Sequence, residues 1–160
     1  MNINFFLKWE EYFAAQEFFR RSRSRLAPET IVGGVLIALG AALFFAGDKN
    51  AAIIGAATLG LAVIVAGPLL RRNASKRKWN REPLYHTEHT VAASEDGVYF
   101  LMGKIESNLV WRYYQRFLES RDGFLLVYGG DSFNYLPKRA FAGPEMIDQF
   151  RELASKKLKH

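Results

Sequence analysis

TIVGGVLIALGAALFFAG (Thr30–Gly47) and AAIIGAATLGLAVIVAGPLL (Ala51–Leu70) contain no charged residue over 18 and 20 positions. At about 1.5 Å per residue the second run spans roughly 30 Å as a helix, the thickness of a bilayer's hydrocarbon core. Between them stands only Gly47-Asp48-Lys49-Asn50, a turn too short for anything but two antiparallel helices. Residues 30–47 and 51–70 therefore read as the two spans of a transmembrane hairpin, residues 30–70. A cleaved signal is the weaker account of the first run, because some thirty residues precede it instead of a short basic leader.

Working outward, both flanks are basic. Arg20, Arg21, Arg23 and Arg25 precede the first span, and Arg71, Arg72, Lys76, Arg77, Lys78 and Arg81 follow the second. The connecting turn carries only Lys49, so the excess of positive charge assigns both termini to the cytoplasm. The net charge of +6 is thus a juxtamembrane feature. From Leu84 to His160 ten acidic and ten basic residues are interspersed, which is not the basic face that phosphate backbones require, and no nucleic-acid partner is expected. The expected contacts are the bilayer, on whose anionic headgroups the basic runs rest, and a protein partner. Small residues at Ala52, Ala56 and Gly60 and at Gly33, Gly40 and Gly47 suit close packing of the two helices, or a homo-oligomer through the same face. Neither span holds an ionisable residue, which argues against a proton or ion path. Pro68 is expected to bend or fray the second span near its end.

Residues 1–29 read as a strand and a juxtamembrane helix. Ile3, Phe5, Leu7 and Trp9 alternate with Asn4, Phe6 and Lys8, and from Glu10 to Arg23 the period becomes helical. Two placements suit that aromatic helix: the membrane interface, or packing on the C-terminal domain. Residues 71–83 form a basic linker ending at Glu82-Pro83. Residues 84–160 then show short runs broken by turn signals: His89–Ala93, Val98–Met102, Ile105–Val110, Tyr113–Ser120, Phe124–Tyr128 and Ser132–Leu136. Gly143-Pro144 opens a helix whose Met146, Ile147, Phe150, Leu153, Ala154 and Leu158 make an apolar stripe, with Glu145 and Asp148 first and Lys156, Lys157 and Lys159 last, as the helix dipole favours. A curved antiparallel sheet capped by a C-terminal helix is an α+β outline of pleckstrin-homology (PH) type. The strand near the N-terminus lies on the same side of the membrane and could complete it.

The whole arrangement resembles the YcxB-like family of bacterial membrane proteins. The resemblance rests on Trp9-Glu10-Glu11-Tyr12-Phe13, Glu95-Asp96-Gly97-Val98 and Leu109-Val110-Trp111, and most strongly on Leu136-Pro137-Lys138-Arg139-Ala140-Phe141. It implies a small multi-pass protein of the bacterial inner membrane with a cytoplasmic PH-like domain and no established activity.

The residues argue against catalysis. There is no cysteine, hence no thiol nucleophile, disulfide or thiolate metal site. His86 and His89 are three apart before a strand, where such positions point to opposite faces, so no metal site is expected. Gly129-Gly130 lies between strands without the following helix of a phosphate loop. Three residues stand out as binding candidates: Lys138 and Arg139 for an anionic group, and Trp111 as an aromatic platform. The reading favoured over these is the bland one: Lys138 and Arg139 solvated or paired with acids of the final helix, and Trp111 in core or sheet packing. The function expected is a membrane-anchored interaction or regulatory module, or alternatively an inner-leaflet lipid- or small-ligand-binding domain.

Overall fold

The structure, a computed structural model, describes residues 1–24, 26–45, 51–130 and 132–158. Arg25, the Gly47–Asn50 turn, Asp131, Lys159 and His160 lie outside the described residues. The chain divides into two units, Met1–Phe19 with Trp79–His160, and Arg20–Lys78.

In the first unit, β1 (Asn2–Phe6) pairs antiparallel with β2 (Glu88–Ala93), matching Asn2 to Ala92 and Phe5 to His89. The alternation predicted a strand in search of a sheet, and β2 supplies it. That strand stops at Phe6, and Trp9 opens α1 (Trp9–Arg23) rather than extending β1. The Glu11 carboxylate accepts the Lys8 backbone N–H at 3.1 Å, which fixes the helix start there. Residues 1–19 are therefore part of the same unit as the C-terminal region instead of a separate segment. Of the two placements read for α1, packing is observed: Tyr12, Ala15 and Phe19 are buried.

The six expected strand runs appear with small shifts at their ends. β3 (Gly97–Met102) and β4 (Ile105–Val110) complete the order β1-β2-β3-β4, while β5 (Tyr114–Glu119), β6 (Gly123–Tyr128) and β7 (Ser132–Pro137) form a second sheet. A two-residue turn, Gly103-Lys104, joins β3 to β4, and Gly103 takes φ +61°, which costs glycine little. One curved sheet was expected; two are present. The break is a 3-10 turn at Trp111–Tyr113, where Trp111 swings inward and donates its Nε1–H to Ser94 O at 2.9 Å.

Phe124-Leu125-Leu126-Val127 in β6 is buried without interruption. Phe124 and Leu126 face a core shared by both sheets, where Ile3, Val91, Val98, Trp111 and Leu136 meet Phe150 and Ala154 of α4 (Pro144–Lys157). Leu125 and Val127 face the other way and pack with Phe19 of α1, alongside Phe133. A strand covered on both faces is apolar throughout, whereas a half-buried one alternates. α4 is the lid its stripe predicted: Phe150 is fully buried, its ring 5.1 Å from Phe124, 5.6 Å from Phe141 and 6.2 Å from Phe117.

In the second unit, α2 (Pro28–Phe45) and α3 (Ala51–Arg81) are both long and apolar enough to cross a membrane. They pack antiparallel on their glycines. A Cβ added at Gly33 would lie 2.6 Å from Gly60 O and 2.5 Å from Ile64 Cγ1, and one at Gly60 would lie 2.7 Å from Gly33 O. Glu29 and Arg71 approach to 2.7 Å beside this contact. The helix of Ala51 does not end near Leu70. α3 continues through Pro68 to Arg81, so residues 71–81 of the expected linker are helical. Arg, Lys and Ala propagate a helix well, and the first breaker is Glu82-Pro83, where Glu82 turns extended at φ −100°, ψ 101°.

Candidate functional site

β7 ends at Pro137, and Lys138–Ala140 form a 3-10 turn leading toward α4. The Lys138 backbone N–H donates to Asp122 O at 2.9 Å, which holds this turn against the β5–β6 turn. Lys138 and Arg139, the two cations picked out by sequence, then diverge. Lys138 Nζ donates to Ser120 O at 2.9 Å, lies 2.6 Å from Glu119 Oε1 and sits 5.1 Å over the Phe124 ring. Arg139 turns to the opposite side, where Nη2 donates to Glu11 Oε2 at 2.8 Å and to Phe6 O at 2.7 Å, and Nε bonds the other Glu11 oxygen.

Both cations are thus engaged, neither of them by an acid of the final helix. Their carboxylates come from β5 and from α1. The acid of α4 serves a third cation: Arg151 holds Asp148 and, through Nε and Nη2 at 2.8 Å each, both oxygens of Glu119. Glu119 sits between Arg151 and Lys138, and the hydrogen bonds from Arg151, reinforced by Lys138, hold its carboxyl at about 2. Burial pushes Glu11 up, but the Arg139 guanidinium and the Lys8 N–H outweigh it, leaving Glu11 below the ordinary carboxylate value. Sequence reading missed Glu11 and Glu119 as partners. The signal for Glu11 was its place in the first turn of a helix; nothing local marks Glu119.

Between α1 and the β5–β6 turn lies an open cleft of about 480 Å³. Three acids line it (Glu10, Glu11, Asp122) and three bases (Arg121, Lys138, Arg139), so the cleft is electrically balanced. An arriving anion would have to displace Glu11 from a two-pronged pairing with Arg139. The chemistry this arrangement performs is mechanical: Arg139 fastens the end of β1 and the start of α1 to the turn after β7.

Trp111, the third candidate, is 5% exposed with its N–H satisfied and its ring 6.1 Å from Tyr114, so it offers no platform to a ligand. The platform reading is replaced by core packing, because the turn after β4 points the indole inward. His89 is buried, with Nε2 donating to Leu84 O at 3.0 Å, and burial lowers its pKa. His86 Nε2 approaches Trp79 O at 3.1 Å. The two histidines serve separate backbone carbonyls. Trp79 itself anchors an aromatic cluster: Tyr85 stacks on it at 5.4 Å, Tyr12 lies 5.2 Å away and Trp9 6.1 Å. Of the topology residues, Arg72, Lys76, Arg77 and Lys78 are exposed on α3, Arg71 pairs with Glu29, and Arg20, Arg21 and Arg23 close α1.

No curated protein matches the chain, and no solved structure does. Residues 93–154 match the model of the family described as YcxB-like protein. This stretch runs from the end of β2 into α4 and includes Glu95–Val98, Leu109–Trp111 and Leu136–Phe141, while Trp9–Phe13 falls outside it. Over this stretch the C-terminal part of the chain is similar to the YcxB-like family.

Proposed function

We propose that the chain is a membrane-anchored cytoplasmic interaction module of the bacterial inner membrane. In this reading α2 and α3 cross the bilayer as a hairpin with both termini cytoplasmic. The unit of Met1–Phe19 and Trp79–His160 is a PH-like domain that docks a protein partner and catalyses nothing. The exposed apolar surfaces of α2 and α3 support the anchor: Val35, Phe45, Ile54 and Leu70 are all more than half exposed. Charge partition supports the orientation. Arg20–Lys78 holds ten basic and two acidic residues, a net +8, while the other unit holds 12 basic and 14 acidic, a net −2.

The observation that carries the docking role is the filled interior. The gap among Ile3, Val91, Leu136, Phe141 and Phe150 has no room for a water molecule, so a small ligand has no chamber there. What the unit offers is its surface. The alternative, an inner-leaflet lipid- or small-ligand-binding domain, would need a basic face, and a net charge of −2 weighs against one. Met1–Phe19 joined by a flexible linker to Trp79–His160 should not sediment with phosphatidylglycerol vesicles at low salt. Sedimentation that disappears at high salt would overturn the docking role in favour of the lipid alternative.

A further inference from the structure

The sheet β1-β2-β3-β4 has two unlike faces. Register turns Ile3, Phe5, Val91, Val98 and Phe100 into the core. The alternate positions form the other face: Asn4, Thr90, Leu101 and Glu106 in one row across the strands, and Asn2, Ala92, Tyr99 and Asn108 in the next. Tyr99 and Leu101 are half-buried and belong to neither core cluster, and Phe6 at the margin is 59% exposed. In the second sheet, by contrast, helix and core cover both faces of β6. Solvent faces of antiparallel sheets are ordinarily polar. Here no Lys or Arg occurs at any of these outward positions. The charges on this face are Glu106 and, beside Phe6 in the row at its margin, Glu88, both acidic.

We propose that this face docks a basic segment, one helix or one strand, of a partner protein; the proposal rests on the docking role above and names its surface and its partner's chemistry. Tyr99 and Leu101 give the apolar and aromatic centre that anchors interfaces, and the amide and hydroxyl groups of Asn4, Thr90 and Asn108 give a neutral surround. Glu88 and Glu106 set the sign of what binds, in a unit that is already net negative. Area excludes a second copy. Four strands about 4.8 Å apart and five residues at about 3.4 Å cover roughly 300 Å². A stable pair of domains needs about 800 Å² from each. An anionic bilayer is repelled by the same two carboxylates.

The test uses the full chain in its own membrane, with a photo-crosslinking phenylalanine analogue placed at Tyr99, at Leu101, or at exposed Gln149 of α4 as control. The expected result is one protein adduct shared by Tyr99 and Leu101, absent at Gln149. Its crosslinked peptide should be net basic, and its yield should fall about tenfold in Glu88→Lys/Glu106→Lys. An unchanged melting temperature of that double variant shows that the loss is one of binding; if the variant is destabilised, Glu88→Gln/Glu106→Gln, with a smaller loss, takes its place. An adduct of twice the chain's mass, a lipid adduct, an acidic peptide, or a yield indifferent to both pairs of substitutions overturns the proposal. A protein adduct at Gln149 alone overturns this face while leaving the docking role standing.

Discussion

Arg139 bonds three acceptors on two elements, and a lysine cannot imitate that fork. The pair with Glu11 is partly open to water, Arg139 being 40% and Glu11 15% exposed, so its strength is modest. Arg139→Lys should cost about 1–2 kcal/mol in urea unfolding, because Phe6 O and one Glu11 oxygen lose their donors together. A cost within error would mean that the fork contributes no stability. Phe150 is the opposite case, a wholly enclosed ring in a cage of three others, and Phe150→Ala should cost about 3–5 kcal/mol through the cavity it leaves. A melting temperature unmoved by it would contradict the lid. His89 and the lowered carboxylates, Glu119 foremost, give the unit its response to acid. Burial holds His89 below its ordinary 6.5, so the unfolded chain takes up a proton first as the pH falls through 6.5, and the stability present above that value is lost toward the lower folded pKa. Glu119, at about 2 when folded against an ordinary 4.5, adds stability above 4.5 that disappears between the two. Unfolding midpoints should therefore decline in two steps, and His89→Phe should remove the first; a first step that persists in this variant would assign it elsewhere.

The strands, α4 and the small-residue packing of α2 on α3 could be read from the chain because each is decided locally. Alternation, Gly-containing turns and a 3.6-residue stripe need no knowledge of distant residues. What could not be read depends on partners far along the chain. The inward swing of Trp111 is fixed by Ser94 O, 17 residues away. Arg139 finds Glu11 across 128 residues, and no spacing rule reaches that far. Between these extremes stands β6: Phe124–Tyr128 reads as a strand, and only the fold shows that both of its faces are covered. The α2–α3 contact gives its own test. Any side chain at Gly60 meets the Gly33 carbonyl, so Gly60→Leu should force the helices apart, whereas Gly55→Leu, with open space at its Cβ, should be tolerated. Proteolytic sensitivity in detergent separates the two, and equal sensitivity would argue against close packing at Gly33 and Gly60.

The whole chain passes from one unit to the other twice, at Phe19–Arg20 and at Lys78–Trp79. Absence of cysteine makes its orientation easy to establish, since any single introduced thiol labels against no background. Ser155→Cys should be protected from an impermeant maleimide in intact cells and labelled after lysis; labelling from outside would reverse the topology.

That double passage also imposes an order on biosynthesis. β1 leaves the ribosome first, yet its partner β2 begins only at Glu88, after both apolar helices have been made. Until then Ile3 and Phe5 have no sheet to join, and Phe19 waits for Leu125 and Val127. The unit of Met1–Phe19 and Trp79–His160 cannot complete itself before α2 and α3 have been made, so a chain halted at that stage would hold its own opening segment unpaired and open to proteases.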